Sequence, residues 1–152
     1  MFKRGFLGKA RLAHAVPQLP GATPAQIWWM HHIINTRAYA EHTLAGETPG
    51  ALEALRELWT AVKEWEGMTK SWAAGVLMAE HTALAKLFVD CLSMGGGDCA
   101  GVADEALGRN VEAHRQLFPA QPERFAELFG LHTKLAGQYI SDLADGRRRI
   151  SR

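Results

Sequence analysis

No run of about 18 apolar residues occurs in this chain, so nothing in it reads as a membrane-spanning helix. There are only 2 cysteines in 152 residues, too few for a disulfide scaffold. A reduced, cytoplasmic setting is the simpler expectation. Charge of one sign is also missing: the net charge is +1, which gives no reason to expect a nucleic acid or an anionic membrane as partner. The N-terminus carries Lys3 and Arg4, but Gly5, Gly8, Lys9 and Arg11 break the apolar stretch, so a secretory signal is not expected. Those basic residues, and Arg147-Arg148-Arg149 with Arg152, read as solvated ends. No segment alternates in hydrophobicity long enough to make a strand, and there is no low-complexity stretch.

Several chemical signatures are absent as well. Gly95-Gly96-Gly97 follows a helical segment and is not followed by Lys-Ser or Lys-Thr, so it is no phosphate loop. Neither cysteine has the histidine spacing of a zinc module. Ser71, Ser93 and Ser141 lack a nucleophile context. The Glu-x-x-His pair of ferritin-like sites is missing, as are the His-x-x-x-Glu and His-x-x-x-His pairs of hemerythrin-like bundles.

What is present is a globular composition, 47% hydrophobic and 22% charged, of a size that buries a real core in one domain. Prolines and glycines cut it into five helical segments. An irregular head covers residues 1–23. Thr23 is placed to cap a first helix from Pro24 to Ala45, stopped by Gly46. Thr48-Pro49-Gly50 reads as a turn. A second helix is expected over 51–66, ended by Gly67, or fused with the third as one kinked rod. The third spans about 69–94. Asp98 is a candidate N-cap for the fourth, which Pro119 ends. The fifth begins at Gln121-Pro122 and fades at Asp145-Gly146, leaving a basic tail from 147 to 152. Short turns between five helices predict an all-α, up-and-down four- to five-helix bundle.

The sequence Ala-Glu-His-Thr occurs twice, at 40–43 and 79–82, each time inside a helical segment. Counting 100° per residue sorts the faces. In the first helix Ile27, Met30, Ile34, Ala38 and Ala45 share a stripe that includes Glu41. His31 and His42 flank it, and His32 points away, towards the surface. In the third helix Leu77, Leu84, Phe88 and Cys91 form the stripe, framed by Glu80 and His81. The fourth aligns Ala103, Leu107, Val111 and Phe118 with Asn110 and His114, with Glu112 outward. The fifth aligns Leu128, Leu131, Leu135 and Tyr139 with His132. The second offers Leu55, Leu58, Trp59 and Val62 and no histidine.

Four helices thus turn ionisable side chains inward, which costs several kcal/mol unless they are hydrogen-bonded or bind something. Carboxylates and imidazoles projecting into a bundle are how di-metal sites are built. The candidate ligands are Glu41, Glu80, His81, His114 and His132, then His42 and His31, with iron or another transition metal as cofactor. A hydrogen-bonded polar layer satisfies the same count. In that case the chain is a structural or interaction protein, a homo-oligomer among the options, with Trp28, Trp29, Trp59, Trp65 and Trp72 available for packing or docking. A haem or small-ligand cavity lined by tryptophan and histidine is the third option.

The stretch from Trp28-Trp29-Met30-His31-His32 through Glu41-His42, followed by a Pro-Gly turn and another helix, resembles the opening of bacterial ferritin-like bundles. The segment from Val111 to Pro119, ending Leu-Phe-Pro, is similar to a hemerythrin-like helix end. This resemblance covers about 25–143 as architecture. It implies two bound metal ions, usually iron, with redox or metal-handling roles, and it implicates Glu41, His81, His114 and His132.

Overall fold

The computed structural model describes residues 20–117 and 123–150. It contains five α-helices: α1 (Pro24–Ala45), α2 (Thr48–Thr69), α3 (Trp72–Ser93), α4 (Gly97–Leu117) and α5 (Glu123–Ile150). No strand occurs among the described residues, so the all-α bundle is what the chain forms.

Local chemistry sets the ends. Thr23 and Gln26 make a reciprocal capping box: the Gln26 N–H donates to Thr23 Oγ1 at 3.2 Å, and the Thr23 N–H to Gln26 Oε1 at 2.8 Å. Gly46 closes α1 at φ +74°, a conformation glycine adopts without steric cost. The Glu47 N–H then reaches back to the His42 carbonyl at 2.8 Å.

Four boundaries differ from the sequence expectation. Thr48, Pro49 and Gly50 form the first turn of α2 and not the connection, because backbone N–H groups there need no helical partner and proline is pre-shaped for that position. Gly67 does not break α2, which continues to Thr69, where Lys70 takes φ +50° and Ser71 caps α3 through the Ala74 N–H. Asp98 lies inside the first turn of α4, where a carboxylate favours the helix dipole, and is not its cap. The basic run Arg147-Arg148-Arg149 belongs to the last turns of α5 and not to a separate tail; Arg147 donates to the Leu44 carbonyl at 3.4 Å. The expected head up to Leu19 and the break at Phe118-Pro119 lie outside the described residues.

Short connections alternate the helix directions, so α1, α3 and α5 run parallel. Helix α3 touches all four others; α1 packs on α2, α3 and α5; α4 fills the far side between α3 and α5. One core cluster joins Tyr39, Leu58, Phe88, Leu107 and Ile140. The other, nearer the starts of the parallel helices, joins Trp28, Trp65, Met78 and Phe129.

Two helices present faces other than those counted from sequence. In α5 the buried side is Phe129, Ile140 and Ala144, while Leu128, Leu131, Leu135 and Tyr139 stay exposed. Both stripes are apolar, so periodicity alone ranks the leucines first and misassigns the inner face. In α1 apolar residues occur all round the helix; Ile27 is exposed, and Trp28, His32, Asn35, Thr36 and Tyr39 are buried. On α2, Trp59 is exposed at its rim while Leu58 and Val62 are buried. At the α3–α4 turn Cys91 and Cys99 are joined as a disulfide, Cα to Cα 5.7 Å, where free thiols were expected.

Candidate metal centre

The inner face of α1 carries Trp28, His32, Asn35 and Tyr39, one helical turn apart each time. On α3 the corresponding column is Ala74, Met78 and His81, and on α5 it is Phe129, His132, Ala136 and Ile140. His32, His81 and His132 each stand eight or nine residues beyond the first residue of their helix. Parallel helices with equal offsets bring all three imidazoles to one height.

There they meet. One ring nitrogen of each lies within 4.8 Å of the others. Ring centroids are 5.4 Å apart for His32 and His132, 5.5 Å for His32 and His81, and 6.3 Å for His81 and His132. An ion held at about 2.1 Å by each would draw the nitrogens to within roughly 4 Å of one another, a closure that side-chain torsions supply.

The surroundings are aromatic. Trp28 stacks on His32 with centroids 5.3 Å apart, and its indole N–H donates to the Ala61 carbonyl of α2 at 2.7 Å. Trp29 stands edge-on to both His32 and His132, and Phe129 contacts His81. The Thr36 hydroxyl donates to the His32 carbonyl at 2.8 Å, steadying that turn.

Burial keeps these histidines neutral. His32 is only 2% exposed, and burial followed by repulsion from His132 lowers its pKa to about 3. His132, half-buried, is lowered to about 4 by burial. His81 is pushed well below its ordinary value by burial first, then by its three histidine neighbours, with Asn110 acting in the opposite direction. Neither nitrogen of His32 has a hydrogen-bond partner, nor does Nδ1 of His81. Buried ring nitrogens without a hydrogen-bond partner cost free energy unless something binds them, and a neutral imidazole nitrogen is a ready ligand for a cation.

The other expected ligands have separate places. Glu80 is exposed and accepts a hydrogen bond from Asn110 at 2.8 Å. Glu41 is half-buried, on the α1 flank, held by the Tyr139 hydroxyl and by Arg37 at 2.7 Å. His42 pairs with Glu47 at 2.6 Å in the α1–α2 corner. His31 is half-buried, and its carbonyl accepts from Asn35. His114 is buried as expected, but its Nδ1–H donates to the Asn110 carbonyl at 3.0 Å and its ring packs on Phe129, outside the three-nitrogen set. Glu112 is exposed, as counted, and paired with Arg115.

His32 is therefore the residue that sequence reasoning missed, and its expected exposure is overturned. The usable signal was the i, i+4 column Trp28–His32 followed by Asn35 and Tyr39, a polar and aromatic face hidden among the many apolar residues of α1. Among known proteins, no family model, no curated protein and no solved structure matches this chain.

Proposed function

We propose that this bundle binds one divalent transition-metal ion through His32, His81 and His132. The observation that carries the reading is the convergence of imidazoles from three helices, His32 and His81 buried and His132 half-buried, with both ring nitrogens of His32 and Nδ1 of His81 lacking a hydrogen-bond partner. Imidazole donors suit zinc, iron, nickel and copper, so iron stands among the candidates. Three protein ligands leave a coordination position free for an exogenous donor, which is the pattern of a reactive site and not of a closed structural one. A bound ion there supplies Lewis acidity and an acidified water. Trp28, Trp29 and Phe129 keep bulk water from the ring nitrogens and hold their orientation. The geometry favours one ion over two, because Glu41 and Glu80, the carboxylates a di-metal centre draws on, are engaged elsewhere.

The test is metal analysis of protein purified without an affinity tag, followed by anaerobic titration with iron, cobalt and zinc. About one equivalent retained per chain is expected, as a single three-histidine site requires. Less than about a tenth of an equivalent of every metal overturns the reading.

A further inference from the structure

The exposed stripe of α5 and the outer edge of α1 enclose a groove of about 430 Å³. Its walls are Ile33, Leu128, Leu131, Leu135 and Tyr139, and His132 lies in its lining. His132 is thus shared between this groove and the three-histidine cluster. Leu128, Leu131 and Leu135 are each about half exposed, at 55%, 48% and 59%, an apolar surface that gains from being covered.

Charge decides what the groove accommodates. Three neutral imidazoles around a divalent ion leave two positive charges uncompensated in a buried site. Among the described residues no carboxylate joins the three histidines. Glu41 is paired with Arg37, whose guanidinium also lies over the Tyr139 ring at the groove rim. The complementary ligand brings its own negative charge to the ion and an apolar body to the leucines.

We infer that the groove between α1 and α5 is the binding site for a monocarboxylate with a hydrocarbon tail, its head on the metal beside His132 and its tail along Ile33, Leu131 and Leu135. This rests on the metal-binding reading above. The volume is that of a small-ligand pocket, and the chain length of the acid sets its affinity because each methylene laid on the groove leaves water.

The probe is cobalt(II)-loaded full-length protein, with octanoate and acetate titrated separately while the visible cobalt bands are recorded. Octanoate is expected to shift the bands at a concentration at least about tenfold lower than acetate, as burial of part of the tail requires. Leu131→Glu should abolish that preference, while Val102→Glu, on the exposed face of α4, should keep it. Equal potency of octanoate and acetate, or no band shift by either, overturns the inference and leaves the metal reading standing. Sedimentation is run on the same samples. A dimer that dissociates in Leu131→Glu, with no octanoate response in the parent protein, overturns the inference in favour of a second copy on this face. Failure to take up cobalt at all overturns the metal reading, and the inference falls with it.

Discussion

The Trp28 indole lies almost parallel to the His32 imidazole, 8° between planes, and is pinned at its other end by a 2.7 Å hydrogen bond to the Ala61 carbonyl. Helix α2 has no histidine in the cluster, yet through this bond it positions the indole that stacks on a histidine of α1. Trp65, also on α2, backs the same indole with ring centroids 4.6 Å apart.

Trp28→Phe keeps an aromatic ring but deletes the donor to Ala61. A stability loss of about 1–3 kcal/mol is expected, from one buried hydrogen bond and some lost volume. Metal affinity should fall about tenfold, as for loss of an outer-shell orienting contact. Chemical denaturation and a chelator-competition titration measure the two separately. Unchanged affinity alongside reduced stability would show that Trp28 does not orient His32.

Replacing a ligand should do more than replacing a bystander. His32→Ala, His81→Ala and His132→Ala are each expected to weaken metal binding about 100-fold or more, since under the proposed reading each removes one of three ligands. His42→Ala and His31→Ala should leave it within about threefold, because neither side chain reaches the cluster and metal affinity follows the ligand set. Chelator competition reads the series, and circular dichroism confirms that each variant is folded. A large loss in His42→Ala with retention in His32→Ala would reverse the assignment.

The metal-free protein should lose stability in mild acid. His32 and His132 hold pKa values of about 3 and about 4 in the folded state, and burial is the leading cause for both. In the unfolded chain histidine titrates near 6.5. Between those values the unfolded state binds more protons, so stability is complete above about pH 6.5 and declines as the pH falls towards 4 and then 3. Each such group steepens the decline by up to about 1.4 kcal/mol per pH unit. Urea midpoints measured from pH 7.5 to 4.5 should fall steadily, and His32→Phe should flatten the curve. Bound metal should delay the decline, because protons and the ion compete for the same nitrogens. A parent protein with a level profile over this range contradicts the burial argument.

The α1–α2 corner offers a contrast between two glycines. A Cβ added at Gly50 would stand 2.5 Å from His42 Nδ1 and 2.6 Å from Cγ, forcing that ring off Glu47. Gly50→Ala should destabilise by about 1–3 kcal/mol, as overpacking does. A Cβ at Gly67, in the last turn of α2, meets nothing within 4 Å. Gly67→Ala should therefore stabilise by about 0.5–1 kcal/mol by lowering the entropy of the unfolded chain. Thermal melts of the two variants should move in opposite directions.

Helix number, the order of the segments and the α1 boundaries were legible in the sequence because they depend on neighbours within a turn. Thr23, Gln26 and Gly46 act through bonds to residues three or four positions away, and a one-dimensional reading sees those partners directly. The burial of His81 and His114 was legible for a similar reason, since each shares its face with unambiguous core residues. The α2 boundary was missed because a single helical glycine such as Gly67 costs only about 1 kcal/mol, which packing of Leu58, Val62 and Trp65 offsets.

Tertiary structure alone decided which face of α1 and of α5 turns inward. Each helix carries two apolar faces, so local periodicity left two nearly equal answers. The choice fell to shape: Trp28 seats between His32 and Trp65, and Phe129 fits among Trp29, His81 and His114. That choice took His32 from the expected surface to the centre, left Glu41 on the flank of α1 outside the cluster, and left a leucine stripe beside His132. The amino-acid sequence determined that histidines recur at matching depths of parallel helices. Only the rotation of each helix about its axis, set by the packing of large aromatic rings, determined which three would face one another.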